Sequence, residues 1–245
     1  MAGTLVVNEI YLSLQGESTF AGLPCVFVRL TACDLRCSYC DTAYAFAGGK
    51  KMALEEIAAR VRELAGVFRR RNGEGKGLPL VELTGGEPLL QAGALPLMRR
   101  LCDEGFTVLL ETGGARDISG VDNRVRRIVD LKCPASGESE RNRYENIGLL
   151  KATDQIKFVI STHEDYEWAK DRIAEHKLDG ICELLFSWAH PLEAKQRHPS
   201  LKKAPRNMRP ISRRELAERI VADGLPVRFQ AQLHKIIWPP DQRGV

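Results

Sequence analysis

The stretch CDLRCSYCDT, residues 33–42, places three cysteines within eight positions. Cys33, Cys37 and Cys40 have the spacing CxxxCxxC, no second cysteine pair follows, and the five histidines are distant. Structural zinc normally takes a fourth protein ligand, whereas an iron–sulfur cluster on three thiolates can leave one iron without one. The spacing therefore favours an iron–sulfur cluster, with zinc as the alternative.

The triplet directly follows the apolar run PCVFVRL, residues 24–30, so it lies on the loop that leaves the first predicted core strand. In parallel β/α folds, ligands bind at that end of the strands. Further strands are predicted at 78–84, 106–112, 127–132, 155–161, 181–187 and 227–233. Helices are predicted at 52–64, 88–105, 163–176 and 211–224. This alternation predicts one α/β domain over 1–245, and seven mostly parallel strands indicate a partial (incomplete) β/α barrel.

The composition is that of an ordinary globular chain. Its 245 residues are 44% hydrophobic and 28% charged, with a formal net charge of +4. We expect a cytoplasmic protein, because there is no secretory signal and no apolar run long enough to span a membrane. Seven cysteines, four of them scattered singly, indicate a reducing compartment rather than a disulfide framework. Residues 190–210, rich in Lys, Arg and Pro, are predicted to form a basic loop or a lip over a site.

Three further motifs accompany the triplet at predicted strand ends: LTGGEPLL (83–90), ETGG (111–114) and DLKCP (130–134). Together they resemble the radical S-adenosylmethionine (SAM) superfamily, whose three cysteines hold a 4Fe-4S cluster and whose fourth iron is chelated by SAM. The resemblance implies that superfamily's partial barrel, with the cluster on Cys33, Cys37 and Cys40. The residues that it implies for SAM binding are Tyr39, Cys40, Asp41, Gly86, Asp130, Lys132 and Ser187. Glu87 would bring a negative charge near the SAM ammonium, and Glu111 is either a cofactor-side group or a strand-end carboxylate.

The segment 8–42 is similar nearly throughout to the 7-carboxy-7-deazaguanine synthase family, and the resemblance continues to QLHK (232–235). It implies a lyase of queuosine and 7-deazapurine biosynthesis. Such an enzyme abstracts hydrogen from C6 of 6-carboxy-5,6,7,8-tetrahydropterin, and ring contraction with loss of ammonia gives 7-carboxy-7-deazaguanine. SAM is regenerated and Mg²⁺ assists.

The family resemblance also implies roles for single residues and partners. Thr42 would bind Mg²⁺, and no catalytic residue is assigned beyond the cluster and the cofactor. The residues implied for the pterin substrate are Leu14, Gln15, Gly16, Glu17, Arg29 and Thr84. An electron donor such as flavodoxin or ferredoxin and a homodimer are implied, and neither a membrane nor a nucleic acid is required.

The chain departs from the family pattern at its end. In some family members the last residue reaches the substrate, but here IIWPPDQRGV follows QLHK. Gln232, His234 and Lys235 could take over that contact, although His234 by itself is better interpreted as structural. Two alternatives stay open: a glycyl-radical activating enzyme, and a zinc-stabilised RNA-binding module that uses the basic residues 190–214.

Overall fold

One open sheet organises the chain, which the computed structural model describes over residues 3–71 and 79–245. Its strands are Thr4–Leu14 (β1), Pro24–Leu30 (β2), Lys50–Ala53 (β3), Leu80–Gly85 (β4), Val108–Thr112 (β5), Arg126–Asp130 (β6), Gln155–Ile160 (β7), Glu183–Trp188 (β8) and Arg228–Gln230 (β9). Their order is β3-β1-β2-β4-β5-β6-β7-β8-β9. All pairs from β2 to β9 are parallel, and β1 is antiparallel to β2 and β3. The predicted incomplete, mostly parallel barrel is confirmed.

The prediction of seven strands was wrong, because β1 and β3 add two. Most of β1 is only half-buried, so its sequence lacks the continuous apolar run of the parallel strands. β3 has four residues, and its two lysines are exposed. The last predicted strand, 227–233, also ends early at Gln230. Gln232 has a left-handed backbone (φ 49°), which an extended strand excludes.

In the described part of the chain, five α-helices accompany the sheet: Leu54–Arg71 (α1), Ala94–Asp103 (α2), His163–His176 (α3), Arg213–Ala222 (α4) and His234–Ile237 (α5). The predicted bounds of α3 are confirmed, and both α3 and α4 begin with a capping box, that of α4 at Ser212. The predicted helix 88–105 is wrong in its first part, where a 3-10 turn at Pro88–Leu90 precedes α2. No helix in the described ranges is long and apolar enough to cross a membrane.

The interior of the barrel changes from apolar to polar along the strands. An apolar layer near the strand starts contains Cys25, Phe27, Leu80, Leu109, Ile128 and Leu185. The next inward-facing positions carry polar side chains, since residues two apart face the same side of a strand. Those positions hold Arg29, Thr84, Glu111, Asp130, Lys157 and Ser187. The apolar layer is therefore the floor beneath a polar site at the carboxyl ends of the strands.

The turn after β4 packs against the start of the loop that follows β2 and carries the cysteine triplet. We call this loop, residues 31–42, the cysteine loop. The Gly86 amide donates to the Leu30 carbonyl (3.1 Å) and the Glu87 amide donates to the Ala32 carbonyl (2.7 Å). A Cβ atom at Gly86 would lie 1.9 Å from the Ala32 carbonyl oxygen. Gly85 has φ 135°, where other residues are strained. Glycine is therefore required here for the backbone to hold the cysteine loop.

Replacing Gly86 with alanine is expected to displace the cysteine loop. Because the clash is with backbone, we expect a loss in the free energy of unfolding of about 3 kcal/mol, the upper end of the usual cost of overpacking, measured by urea denaturation. The matched control is Gly66→Ala in α1, where an added Cβ meets nothing within 4 Å. That change should stabilise the helix by about 0.5–1 kcal/mol. Equal stability of the two variants would contradict the proposed constraint.

Candidate active site

A cavity of about 580 Å³ lies at the carboxyl ends of the parallel strands. The cysteine loop, the 14–17 loop and the strand ends form its walls, joined by residues 195–199 and 240–245. The residues predicted for substrate, SAM, cluster or Mg²⁺ line it, except Ser187 and Glu87. Residues that are far apart in sequence thus meet in one place, and part of the 190–210 loop forms the predicted lip.

The three clustered thiols are half-buried or buried in the wall of this cavity. Burial raises the pKa of the Cys33 thiol, and it raises the pKa of Cys37 to about 11 and of Cys40 to about 12. Within residues 3–71 and 79–245, no three His, Cys, Asp or Glu side chains are already gathered as a metal site. Three soft sulfur ligands on one loop suit an iron–sulfur cluster, whose binding would displace the thiol protons.

Asp130 Oδ1 and the Tyr39 hydroxyl, at the cavity wall near the thiols, are buried and have no hydrogen-bond partner among the described residues. The other Asp130 oxygen accepts a hydrogen bond from Lys132 Nζ at 2.6 Å. Burial would lower the pKa of Lys132, but the Asp130 carboxylate raises it, so this lysine is charged. Unpaired buried polar atoms are rare in folded proteins. These atoms fit a ligand that carries hydroxyl, amino and carboxylate groups, as SAM does.

Glu87 is bonded to protein groups of two turns. Its carboxylate accepts hydrogen bonds from the Thr112 hydroxyl (2.9 Å) and the amides of Gly113 (2.7 Å) and Leu89 (3.0 Å). Burial raises its pKa in spite of these donors. The side chain therefore joins the TGGEP turn to the ETGG turn, and its bonding capacity is used within the protein.

Directly above the apolar layer, the cavity has a polar floor whose central group is a buried ammonium. This ammonium was not among the predicted residues. Lys157, on β7, is 4% exposed and its Nζ contacts the carboxylates of Glu17 (3.1 Å) and Glu111. Glu17 also accepts from the Ser187 hydroxyl at 2.5 Å. Burial would raise the pKa of Glu17, but Lys157 and Ser187 together lower it to about 2. The Ser187 hydroxyl thus orients Glu17. Ser187 was predicted to contact SAM, but it does not line the cavity.

Gln15 is held from both ends of its side-chain amide. Its Nε2 donates to the Glu82 carboxyl, and its Oε1 accepts from the Glu17 amide at 2.8 Å. Glu82 is 1% exposed and lies in the apolar layer, where burial and the nearby Glu111 raise its pKa. Gln15 therefore ties the 14–17 loop to β4, and it also lines the cavity.

Arg29 is held in place by neighbours on β1. Its Nε donates to Glu9 (2.7 Å) and one Nη donates to the Tyr11 hydroxyl (2.6 Å). The Tyr44 hydroxyl donates to the same Glu9 oxygen at 2.7 Å, so the acid is shared. The remaining Nη has no hydrogen-bond partner in the described part of the chain. A fixed guanidinium in the cavity wall suits a carboxylate ligand.

The segment QLHK closes the site from the side. Lys235, 8% exposed, forms an ion pair with Asp41 of the cysteine loop. The other Asp41 oxygen accepts from the Thr42 hydroxyl at 2.8 Å. Burial would raise the pKa of Asp41, but Lys235 holds it well below its usual range. The side chain of His234 packs against Gly16, where an added Cβ would lie 2.5 Å from Nδ1.

The residues after QLHK return to the cavity. Residues 240–245 line it, and the Arg243 guanidinium lies 4.0 Å from the centre of the Tyr44 ring. Gln232, His234 and Lys235 also line the cavity. The part of the chain that departs from the family pattern therefore contributes to the same wall.

Sequence reasoning missed Lys157, Glu82, Glu9 and Tyr11. Lys157 and Glu82 each interrupt an otherwise apolar predicted strand, and a charge in that position must be paired or neutralised when buried. Glu9 and Tyr11 are two apart on β1 and so share a face. The charges within apolar strands and the two-residue spacing on β1 were visible in the sequence. The partners of these residues were not, because they come from other parts of the chain.

Residues 28–178 match the Radical SAM superfamily. The chain is 45% identical to the 7-carboxy-7-deazaguanine synthase of Koribacter versatilis, over 98% of this chain and 99% of that protein. It is 43% identical to the 7-carboxy-7-deazaguanine synthase of Chlorobaculum tepidum, over 98% of this chain and 97% of that protein. Its fold resembles the crystal structure of QueE from Escherichia coli, with a TM-score of 0.62 over 93% and 94% of the chains at 20% identity.

Replacing Lys157 with methionine should destabilise the fold, because two carboxylates lose their buried partner. We expect a loss in the free energy of unfolding of about 3–5 kcal/mol at pH 7, measured by urea denaturation. In the wild type the pKa of Glu17 is lowered to about 2 from an ordinary 4.5, so its contribution is complete above pH 4.5 and is lost towards pH 2. The difference between variant and wild type should therefore shrink over that range.

The control for this experiment is Lys177→Met, at an exposed position after α3. Its effect should stay within about 0.5 kcal/mol at every pH. A Lys157→Met variant as stable as the control at pH 7 would show that the buried ion pairs do not hold the cavity floor.

Proposed function

Because the chain belongs to the radical SAM superfamily and, within it, to the 7-carboxy-7-deazaguanine synthase family, we propose that it converts 6-carboxy-5,6,7,8-tetrahydropterin into 7-carboxy-7-deazaguanine with loss of ammonia. The observation that carries this proposal is the single cavity that the three thiols share with Arg29 and the buried carboxylates. Similarity over nearly the whole length to the synthases favours this function over a glycyl-radical activating enzyme or a zinc-stabilised RNA-binding module.

A 4Fe-4S cluster and SAM are the cofactors of this superfamily, and together they supply a 5′-deoxyadenosyl radical when bound. We assign Cys33, Cys37 and Cys40 to the cluster. The unpaired Asp130 oxygen and the Tyr39 hydroxyl would bind hydroxyl and amino groups of SAM. The buried ammonium of Lys132, already oriented by Asp130, would face its carboxylate.

For the substrate, Arg29 would bind the C6 carboxylate through the Nη that protein groups leave free. The amino-pyrimidinone edge of a pterin offers adjacent N–H donors, which suit a carboxylate. Glu111 is the more accessible of the two carboxylates on Lys157, with 28% of its side chain exposed against 15% for Glu17. Thr84 donates to Glu111 at 3.3 Å and helps to orient it. In this arrangement both ends of the substrate are fixed, which holds C6 in one position.

The proposed reaction is tested by anaerobic reconstitution with iron and sulfide. The protein is then incubated with SAM, dithionite and 6-carboxy-5,6,7,8-tetrahydropterin, and the products are analysed by mass spectrometry. We expect 7-carboxy-7-deazaguanine together with ammonia. Reconstituted protein that carries a cluster and cleaves SAM without consuming the pterin would contradict the proposed substrate.

Each clustered cysteine should be necessary for the cluster. Cys37→Ala removes one of three iron ligands, so bound iron and the visible absorbance after reconstitution should fall to near background. The control is Cys102→Ser on α2, which packs beside the core and lies away from the cavity wall. It should keep the iron content of the wild type. Full iron content and activity in Cys37→Ala would contradict the assignment.

Thr42 is proposed as a ligand of Mg²⁺, which accepts neutral oxygen ligands. Its hydroxyl hydrogen is donated to Asp41, so the lone pairs of the oxygen remain available. Thr42→Ser should retain stimulation of turnover by Mg²⁺, and Thr42→Ala should lose most of it with its iron content unchanged. An equal Mg²⁺ response in the wild type and Thr42→Ala would place the metal elsewhere.

We also propose a protein electron donor, such as flavodoxin or ferredoxin, and a homodimer. Light scattering of the purified protein measures its molecular mass and so tests the homodimer. A mass twice that of the chain is expected, and the mass of a single chain would contradict it.

A further inference from the structure

One segment of the chain carries a strongly uneven charge. Residues 195–214 contain eight lysines and arginines and no aspartate or glutamate, in a chain whose net charge is +4. The rest of the chain is therefore acidic overall. Apart from a 3-10 turn at Ala194–Gln196, residues 190–210 have no helix, and most of them are exposed. We call residues 195–209 the basic segment.

The basic segment packs directly on the cysteine loop. The Lys202 amide donates to the carbonyl of Arg36, which lies between Cys33 and Cys37, at 2.8 Å. The Lys202 ammonium donates to the Glu138 carboxylate at 2.8 Å, and the Arg36 amide donates to the other Glu138 oxygen at 2.7 Å. These contacts fix the basic segment over the loop that would hold the cluster.

The six cations of the basic segment differ in their surroundings, and Arg197 among them lines the cavity. Lys195, Lys202 and Arg209 form ion pairs with acidic side chains of the protein. Lys203 and Arg206 are exposed and have no acidic partner among the described residues. They also lie outside the cavity wall, which includes residues 195–199 of the segment. A small anion inside the cavity is therefore not their partner, and their charge is available to an acidic surface from outside.

We propose that Lys203 and Arg206 are the centre of a docking surface for an acidic one-electron carrier protein of the flavodoxin type. This inference rests on the proposed function, because a redox cluster must receive an electron from outside. The reduced carrier would lose one electron at this surface and the cluster would gain it, so no other reactant is needed. Charge complementarity favours such a carrier because it increases the rate of encounter and orients the two surfaces.

The test is the double substitution Lys203→Glu and Arg206→Glu in the reconstituted enzyme, with Lys177→Glu as a control. Lys177 is exposed and follows α3, so it lies at the opposite end of the sheet. Affinity for oxidised flavodoxin, measured by calorimetry at low ionic strength, should fall at least about tenfold in the double variant. It should be unchanged in the control. Wild-type affinity should also weaken with added salt, because salt screens exposed charges.

Turnover with two different reductants distinguishes a loss of carrier docking from a loss of the reaction itself. With dithionite as the reductant, the double variant should match the wild type in turnover and in KM for the pterin. With reduced flavodoxin, its turnover should fall in parallel with its affinity.

Three results would overturn the docking surface: unchanged flavodoxin affinity, a raised KM for the pterin with dithionite, or tighter charge-dependent binding of a short RNA than of flavodoxin. Failure of the wild type to form product with dithionite would instead contradict the proposed function, since that assay needs no carrier.

Discussion

The site depends on one buried charge, the ammonium of Lys157. A lysine at 4% exposure is stable only when carboxylates replace its lost hydration. Glu17 and Glu111 provide them from the 14–17 loop and from β5. The ion pair between Lys157 and Glu17 therefore holds the 14–17 loop against the inner face of the barrel. Gln15 adds a second tie to β4 through Glu82, and together they give the cavity a polar floor above the apolar layer.

A second constraint brings the cysteine loop onto the same cavity. The glycine pair after β4 lets two backbones approach within van der Waals distance, and Glu87 then joins that turn to the turn after β5. Lys235 holds the loop from its far side through Asp41. The thiols and the substrate floor are thus fixed by separate sets of contacts. This arrangement suits the proposed radical reaction, in which the hydrogen that reacts must lie close to the radical.

The sequence predicted those parts of the fold and the site that depend on short-range patterns. The apolar run of β2 and the helical pattern of α3 depend on neighbouring residues, and their predicted bounds agree with the structure. The cysteine triplet and the glycine turn follow buried strands, so their common edge could be inferred from topology alone. The rest depends on tertiary pairing. β1 has no continuous apolar run, and the neighbours of Arg29 come from an antiparallel strand that was not predicted.

The same reasoning explains why the protein partners of several predicted site residues were not foreseen. Ser187 ends a strand that points towards the cavity, but its hydroxyl is taken by Glu17. The amide of Gln15 is likewise taken by Glu82. Long-range partners of this kind cannot be inferred from one sequence, because any of several acidic residues could have provided them.

The central claim is that hydrogen leaves C6 of a pterin held between Arg29 and the buried carboxylates, within reach of the cofactor. The most direct measurement uses substrate deuterated at C6 and follows the label by mass spectrometry. The account predicts that SAM recovered after turnover carries deuterium, because the same cofactor takes the hydrogen and is regenerated. Product formed in full with no deuterium in the recovered cofactor would contradict it.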